Sequence, residues 1–237
     1  MVTLQRRRRI RGLRIVGAAA AILAISHPAR AQATAPAADQ RPLSLAHIAL
    51  FESPHLHNVT GGETLSYRFL REGAESYADS IAIHVRHAHP DGRKDLAFDY
   101  LSGPRHVAYP ELDGFRGNPL LMLALEQDVA EMHERLGLSA TWLRNRIREA
   151  LVDRASITEA SFALDGQSLP ARRILLHPFA DQDRLERLPS LRNKSYAFTL
   201  CDAVPGTLAE IRIEMPADPA AGAPDFTQRI LFTGAQP

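Results

Sequence analysis

Histidines are the side chains of this sequence with the most obvious capacity for chemistry, because several of them lie close together. His55 and His57 stand in a loop that contains Ser and Pro, and His87 and His89 end an alternating apolar run. Residues two apart on a strand point to the same side, so His87 and His89 can converge on one ion. With His55 and His57 they would supply four nitrogen ligands, a number that suits Zn or Cu. Solvated or hydrogen-bonded histidines are the alternative.

A long connection between two predicted elements is the second candidate region. It runs from Ser102 to Gly117, and loops of about 15 residues within a compact domain are uncommon unless they are functional or disordered. It is either a lid over a cavity between sheet and helix or a connector that aromatic residues pin to the core. The predicted ligand-binding residues are Arg105, His106, Tyr109 and Arg116 in this loop and Met122 in the helix that follows.

Catalytic motifs are scarce. The sequence contains no Gly-x-Ser-x-Gly, no phosphate-binding Gly-Lys-Ser or Gly-Lys-Thr, no dinucleotide fingerprint and no haem-attachment motif. A hydrolase that uses carboxylates remains an alternative if Asp99, Glu111 and Asp113 meet in space. The sequence therefore favours a binding or interaction protein without a cofactor over an enzyme.

Two predicted helices carry charged residues at helical spacing. Arg144, Arg146 and Arg148 form a basic segment, which is either a solvated helix face or a grip for an anionic group. On the other helix, Asp128, Glu131 and Arg135 predict an exposed stripe of ion pairs.

The periodicity of apolar residues changes twice along the chain. Alternation predicts strands from Leu43 to about Gly103, then a 3.6-residue period predicts two helices, and alternation returns after Asp153. Asn118 and Pro119 predict the start of a helix over Leu120–Leu136, which Gly137 ends, and Ser139 predicts the start of the second. Pro90 to Gly92, Asp165-Gly166 and Pro205-Gly206 predict three hairpins, and Gln228 to Phe232 predicts a last strand.

Hairpins without helical crossovers predict an α+β fold, in which a curved, mostly antiparallel sheet packs against two central helices. The first half of the first helix is apolar on most of its circumference and should be covered on more than one side. A half-barrel-like sheet would provide that cover. This architecture resembles the half-barrel of periplasmic lipoprotein carriers, which implies an apolar ligand, a lipid or a segment of an envelope protein as partner.

The N-terminus has the pattern of a secretory signal peptide. Residues 1–31 contain seven Arg and no acidic residue, a short apolar run, and the small-x-small sequence Ala29-Arg30-Ala31. We expect export to the periplasm, by the general secretory route rather than the twin-arginine route. Residues 32–42 then form a flexible tether, residues 43–237 form one domain, and no stable membrane anchor is expected. Oligomeric state is left open.

Charge and cysteine content limit the partners and the fold. Without residues 1–31 the chain has 21 basic and 27 acidic residues, which disfavours nucleic acid as a partner. Cys201 is the single cysteine, so no internal disulfide can form and packing alone must hold the fold. Cys201 lies in a predicted strand and is expected to be a buried thiol.

Two sequence strings carry a family resemblance. Phe115-Arg116-Gly117-Asn118-Pro119 and the nine residues from Phe198 to Gly206 resemble patterns in uncharacterised exported proteobacterial proteins. The resemblance implies a bacterial periplasm and brings no activity with it. The expected function is therefore that of a soluble periplasmic binding or interaction protein, with a histidine metal site or a periplasmic hydrolase as alternatives.

Overall fold

The fold is organised by one open antiparallel sheet. The computed structural model describes residues 42–73, 75–182, 185, 188–217 and 225–237, and the predicted signal peptide and nearly all of the tether lie outside them. Within these residues the sheet has nine strands in the order β4-β3-β2-β1-β9-β8-β7-β6-β5. The strands are β1 (Thr64–Gly73), β2 (Tyr77–Ala88), β3 (Lys94–Tyr100), β4 (Leu112–Phe115), β5 (Ser156–Leu164), β6 (Gln167–Leu176), β7 (Ser195–Leu200), β8 (Leu208–Met215) and β9 (Phe226–Gln236).

Helices precede the first strand and separate the two halves of the sheet. They are α1 (Leu45–His47), which continues as a π-helical turn over Ile48–Glu52, α2 (Leu120–Leu136), α3 (Ala140–Asp153) and α4 (Pro189–Arg192). Short 3-10 turns cover His55–Asn58 and Gly103–Arg105. No described helix has the length and apolar character needed to cross a membrane. The prediction of strand structure from Leu43 onward was wrong for residues 45–58, because this segment lies on the helices instead of joining the sheet.

Alternating burial explains the strands. Along β1, Leu65, Tyr67 and Phe69 are buried, whereas Arg68 points to solvent. The three predicted hairpins are confirmed by the pairing of β2 with β3, β5 with β6 and β7 with β8. In the second of these turns Asp165 and Gly166 both have positive φ, 51° and 78°, as a two-residue hairpin turn requires. The sheet is therefore antiparallel throughout, with one face turned to the core.

The last strand lies in the middle of the sheet. The predicted strand over residues 228–232 is confirmed but is longer, and β9 pairs with both β1 and β8. It buries Gln228, Ile230 and Phe232 on the core face. Because β1 and β8 belong to opposite halves of the chain, β9 joins these halves into one sheet.

Helix α2 is fixed to the sheet by polar contacts as well as by apolar packing. Asp128 accepts hydrogen bonds from Lys194 Nζ and from the hydroxyl of Tyr196, each at 2.6 Å, and all three residues are buried. Glu131 pairs with Arg71 on β1. The predicted exposed stripe is confirmed only for Arg135, which is exposed and pairs with Glu131 at 3.2 Å. It was wrong for Asp128, which is buried against Lys194, and for Glu131, which also pairs with buried Arg71.

Asn118 connects four separate parts of the chain. Its backbone N–H donates to Nδ1 of His55 at 3.2 Å, and its side-chain amide donates to Tyr67 Oη at 3.0 Å and to the Gly206 carbonyl at 3.2 Å. Its side-chain oxygen accepts from the N–H of Leu120 at 3.1 Å, so it caps α2 as predicted. Asn118 is 2% exposed, and each of these bonds replaces one that water would otherwise make.

We expect Asn118→Ala to lower the free energy of unfolding by about 3 kcal/mol, because it leaves buried donors and acceptors without partners. Urea denaturation followed by circular dichroism measures the change. Asn145→Ala, on the exposed side of α3, is the matched control and should change stability by less than about 0.5 kcal/mol. Equal stabilities of the two variants would contradict the role assigned to Asn118.

Candidate functional site

His55 is a structural residue of the core. It is 2% exposed, its Nε2 lies 2.7 Å from the Ala49 carbonyl, and its Nδ1 receives the N–H of Asn118. Since a carbonyl only accepts, Nε2 carries the proton and Nδ1 is the acceptor. Both nitrogens are thus used within the protein. Burial, the largest cause, lowers the pKa of His55 below its usual value.

The other three predicted metal ligands lie in different surroundings. His57 is exposed, and its Nδ1 contacts the Pro54 carbonyl at 3.0 Å. The rings of His87 and His89 do meet, with centroids 4.7 Å apart, and His89 Nε2 bonds to Asp95 at 2.8 Å. No group of three or more His, Cys, Asp or Glu that could hold a metal ion occurs among the described residues. The structure therefore brings together one pair of the proposed set, without the four-histidine site.

The predicted ligand-binding loop is more ordered than expected, since its end forms β4. Arg105 bonds to Asp79 at 3.2 Å and lies over the ring of Tyr77, and His106 contacts the Leu101 carbonyl. Tyr109 packs edge-on against Tyr100, and Arg116 lies 3.9 Å from Asp91. These contacts match the connector interpretation. The loop residues do not converge with Met122, the remaining member of the set.

Met122 lines an apolar groove between the helical elements. It is 41% exposed, although the first half of α2 was expected to be covered on more than one side. The groove has a volume of about 290 Å³ and lies between the N-terminal helical segment, α2 and α3. Its lining consists of His47, Phe51, Met122, Leu125, Glu126, Val129, Arg144, Ile147, Arg148 and Leu151.

The floor of the groove is held in place by the helix ends around it. Ser44 caps α1 by accepting the N–H of His47 at 3.1 Å, and its hydroxyl donates to the Leu151 carbonyl at the end of α3, at 2.7 Å. Phe51 packs against the ring of His47, with centroids 5.5 Å apart. One wall thus comes from a segment whose helical structure was not predicted, so His47 and Phe51 were not predicted as site residues.

Cationic side chains stand at the rim of this groove. Arg144 forms a bidentate salt bridge with Glu126 at 2.8–2.9 Å, and the carboxylate of Glu126 balances the charge of Arg144. Arg148 makes only a long hydrogen bond, 3.5 Å, to the Asn145 side chain, and the ion pairs of the described residues do not include it. The groove therefore combines an apolar floor with one guanidinium whose charge is left for an anion.

A polar cleft on the face of β2 and β3 that is turned away from the core brings together residues outside the predicted set of histidine ligands. Nδ1 of His84 lies 3.0 Å from Thr64 Oγ1, and its Nε2 lies 2.8 Å from Asp99 Oδ2. The cleft has a volume of about 610 Å³ and is also lined by Arg86 and Glu111. Thr64 and His84 are cross-strand partners, which the pairing of β1 with β2 decides and the spacing along one strand cannot show.

Neither a comparison with models of known protein families nor a comparison with curated protein sequences gives a match. Function must therefore be inferred from the groove and the cleft themselves.

His55 should make the stability of the fold depend on pH. Unfolded His has a pKa of about 6.5, and the pKa of buried His55 is lower. Below about pH 6.5 the unfolded chain therefore binds more protons than the folded chain. We expect the free energy of unfolding to decrease below about pH 6.5, by at most about 1.4 kcal/mol per pH unit from this group. Urea denaturation at several pH values from 7.5 to 5.5 measures the slope.

His55→Gln removes the titrating group and should flatten the slope, whatever its effect on stability at pH 7.5. The matched control is His57→Gln, two residues away and exposed, which should keep the wild-type slope. A slope that stays the same in His55→Gln would refute the assignment.

Proposed function

We propose that the protein binds a single-chain amphiphile, a molecule with one apolar chain and an anionic head group, in the groove between the N-terminal helical segment, α2 and α3. The apolar chain would lie on Phe51, Leu125 and Ile147, and the head group would pair with Arg148. The supporting observation is the combination of an apolar floor with an unpaired guanidinium at its rim. Small-molecule sites are typically concave and mostly apolar, with a few polar groups that orient the ligand.

The dimensions of the groove limit the ligand. Ligand sites usually have volumes of about 300–1,000 Å³, so a groove of about 290 Å³ fits one alkyl chain better than a lipid with two. Arg148 is the head-group contact because Arg144 is already paired with Glu126. A carboxylate or a phosphate would satisfy the same guanidinium.

The proposal includes the place of action and the finer architecture. The arginine-rich leader and its small-x-small end support a periplasmic protein. Burial on the core face of the sheet, together with the contacts from β1 and β7 to α2, supports a curved, half-barrel-like sheet around α2 and α3. In this arrangement the ligand lies on the helical side of the molecule and not between sheet and helix.

Arg148→Glu should weaken the binding of dodecanoate by about tenfold or more, since loss of one charged contact corresponds to at least about 1.4 kcal/mol. It should also strengthen the binding of dodecyltrimethylammonium, which has a similar chain and the opposite charge. Isothermal titration calorimetry with each amphiphile below its micelle concentration measures both affinities on protein purified from expression of the full chain.

Arg68→Glu is the matched control, because it makes the same charge change on the solvent side of β1. It should leave both affinities within twofold of wild type. The proposal fails if wild-type protein binds neither amphiphile, or if Arg148→Glu and Arg68→Glu have the same effect on both.

Hydrolysis is a second candidate function, supported by the contacts of His84 with Thr64 and Asp99. Because a carboxylate only accepts, Asp99 fixes the proton on Nε2, which leaves Nδ1 to accept the Thr64 hydroxyl proton as a general base would. If the cleft cleaves esters, Thr64→Val should lower the kcat/KM for p-nitrophenyl acetate by at least about 100-fold. The control Thr60→Val should not change it, and a wild-type rate no higher than that of Thr64→Val would exclude this function.

A further inference from the structure

One edge of the sheet lacks the features that usually prevent strands from adding to it. The strand β5 has nine residues and pairs with β6 in an unbroken register, with no bulge from Ser156 to Leu164. Within the described part of the chain, no strand pairs with its other side. Most of its side chains are exposed, including Ile157 at 38%, and Glu159 is its single charged residue.

The opposite edge differs in each of these respects. The strand β4 has only four residues, its pairing with β3 shifts register between Lys94 and Leu96, and Asp113 lies within it. Short length, irregular pairing and charge are the usual means by which proteins block an edge strand. A long, regular and nearly uncharged edge therefore occurs on one side of the sheet only.

We propose that β5 pairs with β5 of a second copy of this chain, in antiparallel register about a two-fold axis that lies between the two Ala160 residues. Backbone N–H and C=O groups on the free side of each strand would bond to one another, and the two sheets would become one continuous sheet. Since β4 is blocked, association stops at the dimer.

Charge favours this register over the one centred on Glu159, and side-chain contacts favour it further. A two-fold axis perpendicular to the sheet keeps the core faces of both copies on the same side, and because directly opposite side chains of an antiparallel pair lie on one face, one residue must then stand opposite its own copy. Centring on Glu159 would place two carboxylates opposite each other, which is unfavourable. Centring on Ala160 places Glu159 opposite Ser161 and Ile157 opposite Ala163 of the second copy, so an exposed apolar side chain gains an apolar neighbour and no like charges meet.

Two lysine substitutions, one residue apart, test both the dimer and its register. Ala160→Lys would place two ammonium groups opposite each other and should raise the dimer dissociation constant at least tenfold. Ser161→Lys would place each lysine opposite Glu159 of the second copy and should leave that constant unchanged or lower it. Sedimentation velocity over a range of concentrations measures the constant for both variants and the wild type, and circular dichroism establishes that each is folded.

Each outcome decides the proposal. A wild-type dimer that Ala160→Lys weakens and Ser161→Lys preserves supports pairing about Ala160. A wild-type monomer throughout the concentration range, a dimer that neither lysine affects, or a dimer that only Ser161→Lys weakens would overturn it. The dimer contact is separate from the groove, so amphiphile binding by Ala160→Lys should equal that of wild type.

Discussion

The side chain and backbone of Asn118 hold four parts of the fold together. Through them the N-terminal segment, β1, the start of α2 and the loop between β7 and β8 meet at one point inaccessible to water. The loop can approach because residue 206 is glycine: it has φ of +78°, and a Cβ there would lie 2.7 Å from Leu65. Asn118 lies in the string from Phe115 to Pro119 and Gly206 ends the string from Phe198, so packing accounts for these two residues.

A fixed start of α2 has consequences along its whole length. Further on, Asp128 binds Lys194 and Tyr196 in the core, and Glu131 pairs with Arg71, so both halves of the sheet hold the same helix. A shift of α2 that separated Asp128 from Lys194 would leave a buried charge without its partner, which is strongly destabilising. The ion pair therefore favours a single position of α2. The groove therefore has one rigid wall, and Ser44 ties the opposite wall to α3. A preformed site of this kind loses little conformational entropy when a ligand binds.

Local sequence patterns predicted the elements, and long-range contacts decided what the patterns could not. Alternation, Asp165-Gly166 and the caps at Asn118 and Ser139 specify structure through neighbours only a few residues away, which is why the hairpins and both long helices were predicted. The burial of Asp128 depends on Lys194, which is 66 residues away. The partner strands of β9 and the helical state of residues 45–52 likewise depend on distant surfaces. Met122 and the arginines of α3 were candidates from the sequence, but the groove that unites them was missed, because its walls come together only after folding.

The two candidate sites differ in the physical setting of their polar groups. In the cleft, Asp99 is 71% exposed, so water competes for its carboxylate and weakens its hold on His84. In the groove, Leu125, Val129 and Ile147 are buried beneath the rim. The alkyl chain of a bound amphiphile would cover the contact between its anionic head group and Arg148 and so exclude part of the water there. A charge pair gains strength as water leaves it. Binding of an amphiphile therefore makes use of the groove's surroundings, whereas catalysis in the cleft would first require a substrate that displaces water from Asp99.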